Sequence, residues 1–327
     1  MELRSYCKYF GSSEDVLDGV FDKWKIRFTQ PWGLNDPLEG TPALQFARGS
    51  DEHFYEHDGI TYPSERLFYR VQVVEALVNA YGMLSLTRIP DSFQMWALYA
   101  DGHRGFAIEF TEGFQNHSCI KGLDGRNYPI EPVTYVDEYA IDPDEFIENG
   151  KVDRERLVKA VFFRKTLRWQ YEREYRMVRP LSDCGTYTAK PGFKTSYRDG
   201  GLYLFDLAPQ CIASVVFGAH MSVEHKHFIY ERVKDKGVAL FQSCLLPSQK
   251  DDDGHQGKLL LIPIEQFGNA ETFFQLRPQV FSSLDSEDPA RPKEIRQVDS
   301  LAELPYYQGF STEVEAYQAA MRAKRKD

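Results

Sequence analysis

The sequence predicts an α+β domain with many short strands and few, separated helices. Short apolar or alternating runs bounded by Gly, Pro and Asp recur along the 327 residues, whereas helical spacing is confined to a few stretches. No G-x-G-x-x-G or G-x-x-x-x-G-K-[ST] motif follows a predicted strand, which argues against a doubly wound dinucleotide-binding sheet and a P-loop. Apolar residues make up 42% of the chain and aromatic residues 14%, which excludes a disordered or fibrous protein.

Strands are predicted wherever a short run is apolar or alternates between apolar and polar residues. Such runs are typical of sheets whose faces are at least partly buried. The predicted strands are residues 3–10, 26–29, 83–88, 105–110, 128–136, 174–178, 202–207, 213–218, 238–245 and 259–264.

Helices are predicted where apolar residues recur every three or four positions. Ser12 and Ser13 offer N-cap hydroxyls for the first helix, and Asp153 offers a cap for the fourth. The predicted helices are residues 14–24, 63–82, 93–100, 153–169, 223–236 and 312–324. Turns and loops are predicted for residues 30–40, 49–59 and 185–200.

We expect one α+β domain of catalytic type over residues 1–265 and a carboxyl-terminal extension over residues 266–327. Beyond Phe281 the composition shifts to Ser, Asp, Pro and Lys, until the last predicted helix ends in Lys324-Arg325-Lys326. The extension is therefore interpreted as a helical appendage.

The charge and the cysteines exclude several classes of protein. A formal charge of −10, from 39 basic and 49 acidic residues, argues against a protein that coats nucleic acid or an anionic membrane. Five scattered cysteines without a C-x-x-C pair predict neither a disulfide framework nor a zinc site, and no H-E-x-x-H motif predicts another metal. The amino terminus lacks the apolar stretch of a signal peptide, and no run of about 18 apolar residues predicts a membrane span. We expect a cytoplasmic location.

The densest charged stretch runs from Lys151 to Arg179 and contains ten basic residues against four acids. Locally reversed charge in an acidic chain favours a phosphate-bearing ligand, with Lys165 and Arg176 as candidate binding residues. The alternative is a solvated helix face with ion pairs between successive turns.

Two acids in this stretch, Glu172 and Glu174, have the spacing E-x-E. On a strand, residues two apart point to the same side, so both carboxylates are expected to enter one site. Paired carboxylates suit general base catalysis or stabilisation of a cationic transition state at a sugar. The alternative is a pair of surface acids on an edge strand.

A second constellation precedes that stretch. Ser85 and Thr87 share one face of a predicted strand, where their hydroxyls can orient a sugar. Trp96 and Tyr99 are three apart on a predicted helix, a spacing that serves a packed core more often than a ligand platform. His103 lies between Gly and Arg in a turn, and a lone histidine is a weak signal. Asn35-Asp36-Pro37 is interpreted as a turn.

These motifs together resemble the bacterial family known as domain of unknown function 2971. The resemblance covers most of residues 3–220, and the motifs occur in the same order. They are Tyr6-Cys7-Lys8-Tyr9, Phe28-Thr29-Gln30-Pro31, Asn35-Asp36-Pro37-Leu38-Glu39, Ser85, Met95-Trp96-Ala97-Leu98-Tyr99-Ala100, His103-Arg104-Gly105, Lys165, Trp169-Gln170-Tyr171-Glu172-Arg173-Glu174-Tyr175-Arg176 and Val216-Phe217-Gly218.

A more distant resemblance is to ADP-ribosyltransferases, which carry a basic residue on the first strand, S-T-S on a middle strand and E-x-E before a later one. Here the corresponding residues are Arg4 or Lys8, then Ser85 in S-L-T, then Glu172 and Glu174. The resemblance implies split, strongly curved, mostly antiparallel sheets flanked by helices. It also implies NAD as a substrate, Glu174, Glu172 and Ser85 as catalytic residues, and a protein or nucleic acid as acceptor. The residues it implies for NAD binding are Arg4, Lys8, Tyr9, Thr87, Trp96, Tyr99, His103, Lys165 and Arg176.

Two other hypotheses compete with this one. In a metal-dependent nuclease or phosphoesterase, Asp36, Glu39 and the E-x-E acids would hold Mg²⁺ near Lys165. In a non-catalytic binding module, the aromatic residues and Arg176 would form a recognition pocket or simply belong to the core. The oligomeric state is left open, and a toxin or a phage-defence effector is the biological role that fits the first hypothesis.

Overall fold

Short strands paired mostly with antiparallel neighbours make up the sheets of the computed structural model. All described residues fall in the unit Met1–Ser282. The predicted helix 312–324 and the candidate Arg4 lie outside the described residues, and the predicted domain boundary at residue 265 stays a prediction. The structure describes residues 5–36, 38–39, 43–44, 54–63, 74, 76–137, 140–141, 143–149, 151–188, 201–250, 256–266 and 270–274.

Most predicted strands are confirmed within one to four residues at their ends. The strands are β1 (Cys7–Phe10), β2 (Lys25–Phe28), β3 (Ala43–Leu44), β4 (Phe54–His57), β5 (Ile60–Pro63), β6 (Tyr81–Leu86), β7 (Phe106–Phe110), β8 (Ile130–Pro132), β9 (Thr134–Val136), β10 (Ala140–Ile141), β11 (Ile147–Glu148), β12 (Lys151–Val152), β13 (Arg164–Thr166), β14 (Tyr175–Pro180), β15 (Thr186–Thr188), β16 (Leu202–Asp206), β17 (Ile212–Phe217), β18 (Ala239–Lys250) and β19 (Gln256–Pro263).

The helices are few and short, as predicted. The α-helices are α1 (Glu14–Leu17, continued by a π-helical turn Asp18–Asp22), α2 (Phe93–Tyr99), α3 (Arg154–Phe162), α4 (Val223–Val233) and α5 (Ala270–Phe274), and residues 76–80 are also helical. The 3₁₀ helices are Pro31–Gly33, Phe114–Asn116, Pro143–Phe146, Leu167–Glu172, Leu181–Asp183, Pro209–Cys211 and Ile264–Gln266. Within the described residues, no helix is long and apolar enough to cross a membrane.

Three sheets contain three or more strands each, and the other eight described strands form four two-stranded sheets. The largest has the order β1-β7-β17-β18-β19, and only its β17–β18 pair is parallel. The other two have the orders β6-β14-β8 and β15-β16-β2, and all their pairs are antiparallel. The described strands close no barrel. The predicted α+β class, with several small sheets and separated helices, is therefore confirmed.

The large sheet and the β6 sheet meet at a single backbone bridge. The N–H of Cys7 donates to the carbonyl of Thr87 at 2.7 Å, and the N–H of Thr87 donates back at 2.9 Å. Beyond this bridge the two strands belong to different sheets, β1 pairing with β7 and β6 with β14. The junction leaves side chains of both strands facing a common space, which is where the candidate site lies.

The large sheet is buried on both faces. Phe106, Ile108 and Phe110 of β7 belong to a core cluster with residues of α1 and α4, while Ala107 belongs to a cluster with Met95 of α2. Each fully buried side chain of this size contributes about 1.5–3 kcal/mol relative to an exposed one. Burial on both faces explains why β7 and β17 are almost continuously apolar.

Three local predictions are wrong, each for a physical reason. The helix predicted to reach Trp169 ends at Phe162, because Arg164–Thr166 pairs as β13 with β9. The strand predicted over residues 128–136 is two strands, since β8 pairs with β14 and β9 with β13. Residues 54–63, predicted as loop and helix start, form the β4–β5 hairpin around Asp58-Gly59, whose φ angles of 53° and 74° suit a two-residue turn.

Candidate functional site

A cavity of about 180 Å³ lies at the junction of β1 and β6. It is enclosed by β1, the end of β6, α2, the turn after β2 and the segment from β13 to β14. The cavity therefore collects residues that lie far apart in the sequence. The predicted site residues that line it are Lys8, Tyr9, Ser85, Thr87, Tyr99, Lys165, Glu172 and Glu174.

Lys8 on β1 supplies a cation at the cavity wall. Its ammonium donates to the carbonyl of Ser85 at 3.3 Å, and within the described residues it is in no ion pair. Burial lowers the pKa of Lys8 to about 8, although the carboxylate of Glu174 opposes the shift. At neutral pH Lys8 is thus mostly protonated and retains hydrogen-bond donors for an anionic ligand.

Glu172 and Glu174 are brought to one site by a backbone conformation that the sequence did not predict. Glu172 ends a 3₁₀ helix, Arg173 has a left-handed φ of 42°, and Glu174 immediately precedes β14. The two acids therefore do not share a strand face, and the prediction of strand geometry is wrong. The left-handed residue turns the chain between them, so that both carboxylates still contact Lys165.

Lys165 is the centre of a buried ionic cluster. Its ammonium lies 2.6 Å from Glu172, 2.9 Å from Glu39 and 3.2 Å from Glu174. The side chain is 4% exposed, so these ion pairs are shielded from water. Burial alone would lower the pKa of Lys165, but the three carboxylates raise it above its ordinary value.

Arg176 of β14 closes the cluster on the side away from the cavity. Its guanidinium donates to Glu174 through Nε at 2.7 Å, to Glu39 through Nη2 at 2.7 Å, and to the carbonyl of Phe162 through Nη1 at 2.7 Å. The side chain is 1% exposed and is not part of the cavity wall. Arg176 therefore lies outside the cavity, and its donors hold Glu174, Glu39 and the carbonyl of Phe162.

The three carboxylates of the cluster differ in their affinity for protons. Burial would raise the pKa of Glu174, but Arg176 and Lys165 lower it to about 2. Burial raises the pKa of Glu172 against the opposing effect of Lys165, and it raises the pKa of Glu39 against the opposing effects of Arg176 and Lys165. Glu174 is thus a fixed negative charge at the cavity, whereas Glu172 is the better proton acceptor.

Hydroxyl groups orient the two acids. Tyr99 donates its phenolic proton to Glu172, and the hydroxyl of Thr87 donates to the backbone carbonyl of Glu172 at 2.9 Å. Ser85 forms a hydrogen bond with the side chain of Glu174. The backbone N–H of Glu174 donates to the hydroxyl of Tyr135 at 2.8 Å, a residue that the sequence analysis missed. These bonds fix the direction in which each carboxylate faces the cavity.

Trp96 and His103, two of the residues predicted to bind NAD, do not line the cavity. Trp96 is 0% exposed and its indole N–H donates to the carbonyl of Pro90 at 2.8 Å. His103 lies in a turn with a φ of 66°, stacked on Trp96, and a Cβ added to Gly218 would come within 2.2 Å of its carbonyl oxygen. Both residues pack α2 and its following turn onto the sheet.

Glu39 follows the predicted turn Asn35-Asp36-Pro37, and the metal hypothesis places it near Lys165. The Asp36 carboxylate does accept the N–H of Leu38 at 2.9 Å, as expected of an Asx turn. The turn also directs Glu39 inward, where it is 2% exposed and bonded to Lys165 and Arg176.

The carboxylates needed for the metal hypothesis do converge, but around an ammonium group. Glu39, Glu172 and Glu174 all contact Lys165, which occupies the place between them. Asp36 points to its own turn. The cluster contains three carboxylates and two cations, so its net charge is −1 when all are ionised. A divalent cation would have to displace Lys165 to reach these oxygens.

Comparison with known proteins gives one match. No curated protein and no solved structure matches the chain. Residues 95–177 match the family described as "Protein of unknown function (DUF2971)". This stretch runs from α2 into β14 and carries four residues of the cavity wall, which are Tyr99, Lys165, Glu172 and Glu174.

Proposed function

We propose that the protein is an ADP-ribosyltransferase-like enzyme that consumes NAD. The observation that carries the proposal is that Lys8, Ser85 and Glu174 line one cavity. They come from the first strand, a middle strand and the start of a later strand, in the chain order that such enzymes use. The split between the large sheet and the β6 sheet at the Cys7–Thr87 bridge also suits the curved, divided sheets of that fold.

The cavity offers a complementary group for each part of NAD next to the bond that breaks. Lys8 is the cation for the pyrophosphate, because its ammonium is partly desolvated and in no ion pair among the described residues. Ser85 holds the ribose attached to nicotinamide, and the ring of Tyr99 stacks on the nicotinamide. Glu174 accepts a hydrogen bond from the 2′-hydroxyl of that ribose.

In the proposed reaction the bond between nicotinamide and the ribose carbon breaks first. Nicotinamide leaves with the bonding electron pair, and a positive charge develops on the ribose as an oxocarbenium ion. The fixed negative charge of Glu174 stabilises that ion. An acceptor nucleophile then bonds to the ribose carbon and its proton goes to Glu172, whose pKa is raised by burial.

A protein or a nucleic acid is the acceptor that we propose. The basic stretch from Lys151 to Arg179 favoured a phosphate-bearing partner. Its residues Lys165 and Arg176 are buried and paired with glutamates. Arg168 and Arg173, which lie before and after Glu172 in the sequence, are exposed. Exposed cations beside the acids suit a nucleic acid or an acidic protein surface. This chemistry is consistent with a toxin or phage-defence role in the cytoplasm, where NAD is available and the five free cysteines stay reduced.

The test is incubation of the purified protein with labelled NAD, alone and with cell extract. We expect release of nicotinamide and transfer of the label to a macromolecule, unaffected by a chelator. Digestion of the labelled product with protease or nuclease identifies the acceptor class. Absence of both nicotinamide release and label transfer would overturn the proposal, and chelator-sensitive cleavage of nucleic acid without NAD would favour the metal-dependent nuclease.

The pH dependence of NAD binding is expected to follow Lys8. Below its pKa of about 8 the ammonium attracts the pyrophosphate, and above that pH the neutral amine does not. The KM for NAD should therefore rise as the pH increases from 7 to 9.5, by up to about tenfold for the loss of one charge-assisted hydrogen bond. A Lys8→Arg variant, which stays charged, should show a flat KM over this range. A wild-type KM that is equally flat contradicts the role given to Lys8.

A further inference from the structure

Two cysteines that are 92 residues apart in the sequence lie side by side in the fold. Cys119 follows the 3₁₀ helix Phe114–Asn116, and Cys211 ends the 3₁₀ helix Pro209–Cys211. Their sulfur atoms are 3.6 Å apart. The N–H of Thr111 donates to the carbonyl of Cys211 at 2.8 Å, which holds the two segments together. A disulfide needs about 2.0 Å between the sulfurs, so small side-chain rotations suffice to form it.

The groups around Cys119 favour its thiolate. The Nδ1 atom of His117 lies 3.1 Å from the sulfur, and the N–H of Ala208 donates to the sulfur at 3.4 Å. Arg179 bonds the carbonyl of Ile120, the next residue, at 2.9 Å and interacts electrostatically with Cys119. The hydrogen bond from Cys211 lowers the pKa of Cys119 to about 6, helped by these neighbours, while the pKa of Cys211 is raised.

The two cysteines differ in their exposure to water. Cys119 is partly exposed, whereas Cys211 is 0% exposed. Cys7 and Cys244 are buried, and burial raises the pKa of both thiols. Cys184 is partly exposed, but its thiol donates to backbone carbonyls and not to another cysteine. Cys119 is thus the cysteine whose environment combines access with thiolate stabilisation.

We propose that Cys119 and Cys211 are a peroxide-sensitive modification site, in which Cys119 is the cysteine that is oxidised and Cys211 is the cysteine that resolves it to a disulfide. Nothing in this proposal depends on the NAD chemistry of the cavity. It rests on the contact between the two sulfurs and on the hydrogen bonds that His117 and the N–H of Ala208 make with the sulfur of Cys119.

The chemistry balances with hydrogen peroxide as the oxidant. Cys119, which has released its thiol proton to water, attacks one peroxide oxygen as the thiolate. The S–O bond forms as the O–O bond breaks, giving a sulfenic acid and a hydroxide that takes a proton to become water. The sulfur of Cys211 then attacks the sulfenic sulfur, the S–S bond forms, and the oxygen leaves as water with the Cys211 proton. Two thiols and one peroxide thus yield one disulfide and two waters.

The same three side chains could ligate a soft metal, but the surroundings favour oxidation. His117, Cys119 and Cys211 place their ligand atoms within 4.8 Å of one another. A structural zinc site takes about four protein ligands, and the described residues supply these three. The Nδ1 atom of His117 already accepts the N–H of Cys119 at 3.3 Å, and the nearby Arg179 guanidinium opposes a divalent cation while stabilising a thiolate.

The proposal is tested by treating the full-length reduced protein with hydrogen peroxide and mapping the products by mass spectrometry without reduction. We expect loss of two thiols of five, a mass loss of two hydrogen atoms, and one peptide pair joined through Cys119 and Cys211. In a Cys211→Ala variant, dimedone should trap a sulfenic acid on Cys119. Because Cys119 is largely thiolate at neutral pH, it should react at least about tenfold faster than Cys184.

Two controls keep this test informative. A Cys184→Ser variant should form the disulfide at the wild-type rate, and a Cys119→Ser variant should lose it, which covers the case that a Cys211 variant fails to fold. The proposal is overturned if Cys119 is oxidised no faster than Cys184, or if the disulfide joins other cysteines. It is equally overturned if the protein binds one zinc ion, lost in Cys119→Ser, that protects both thiols from peroxide.

Discussion

Replacing Glu174 with glutamine is expected to lower the rate of nicotinamide release at saturating NAD by about 10²–10³-fold, equivalent to about 2.7–4 kcal/mol of transition-state stabilisation. Glutamine has nearly the same shape and still accepts a hydrogen bond, so the substitution removes mainly the negative charge. That charge is secure in the wild type, because Arg176 and Lys165 hold the pKa of Glu174 at about 2. The ground state of NAD needs the charge less than the oxocarbenium ion does, so KM should change much less than kcat.

The matched control for Glu174→Gln is Glu131→Gln. Glu131 lies on β8 opposite Arg176 in the sheet register, is paired with the surface residue Lys159 at 3.3 Å, and does not line the cavity. Its replacement should leave nicotinamide release within about twofold of wild type, since such an exposed pair contributes little. Circular dichroism and the Tm confirm that both variants fold. A folded Glu174→Gln protein with undiminished release would remove Glu174 from the mechanism.

The location of the site could be predicted from sequence better than its geometry. Ser85, which shares a face of a predicted strand with Thr87, and the E-x-E acids in a locally basic stretch were identified from residue type and spacing. The path of the chain between Glu172 and Glu174 could not be found, because a single left-handed residue, Arg173, decides it. Left-handed backbone at a non-glycine residue is set by the tertiary structure and leaves no local signal.

Aromatic spacing gave the least reliable predictions. Trp96 and Tyr99 are equivalent in sequence, three positions apart on one short helix, yet Trp96 is in the core and Tyr99 lines the cavity. The difference is made by β1, whose Tyr9 packs edge-on against Trp96. The partner strand lies more than 80 residues away in the sequence, so no pattern within the helix distinguishes the two side chains.

Long-range pairing also explains why local charge reversal did not point to Glu39, which only the metal hypothesis placed with Lys165, Glu172 and Glu174. Glu39 contacts Arg176 across 137 residues of sequence, whereas Lys165, Glu172 and Glu174 are within ten residues of one another. Local charge reversal identified the near members. The position of Glu39 depends on the turn after β2. The sequence predicted this turn correctly but did not predict that it directs Glu39 into a buried cluster.

The same cluster gives the largest expected effect on stability. Lys165→Met is expected to lower the free energy of unfolding at pH 7 by about 3–5 kcal/mol, because removal of one partner leaves buried charges uncompensated. Methionine fills nearly the same volume, so loss of packing contributes little. Glu39 and Glu174 would then keep only Arg176, and Glu172 would have no ion-pair partner among the described residues.

The pH dependence of this loss distinguishes an electrostatic cause from a packing defect. Without Lys165 the buried carboxylates Glu172 and Glu39 should have folded-state pKa values further above the unfolded value of about 4.3. A group whose pKa is raised on folding stabilises the fold below the unfolded pKa, and this stabilisation is lost as the pH rises through the folded pKa. The difference in the free energy of unfolding between the wild type and the variant should therefore shrink as the pH falls from 7 to 5. Urea unfolding at both pH values measures this change.

Lys226 of α4 provides the matched control for Lys165. It is also buried, at 2% exposed, but within the described residues its ammonium donates only to the carbonyl of Phe274, at 3.3 Å, and burial lowers its pKa to about 8. Because its charge is unfavourable where it lies, Lys226→Met should change the free energy of unfolding by less than about 1 kcal/mol or increase it. Equal losses in the two variants, or a Lys165→Met loss that does not shrink at pH 5, would show that the cluster around Lys165 stabilises the fold by packing and not by charge.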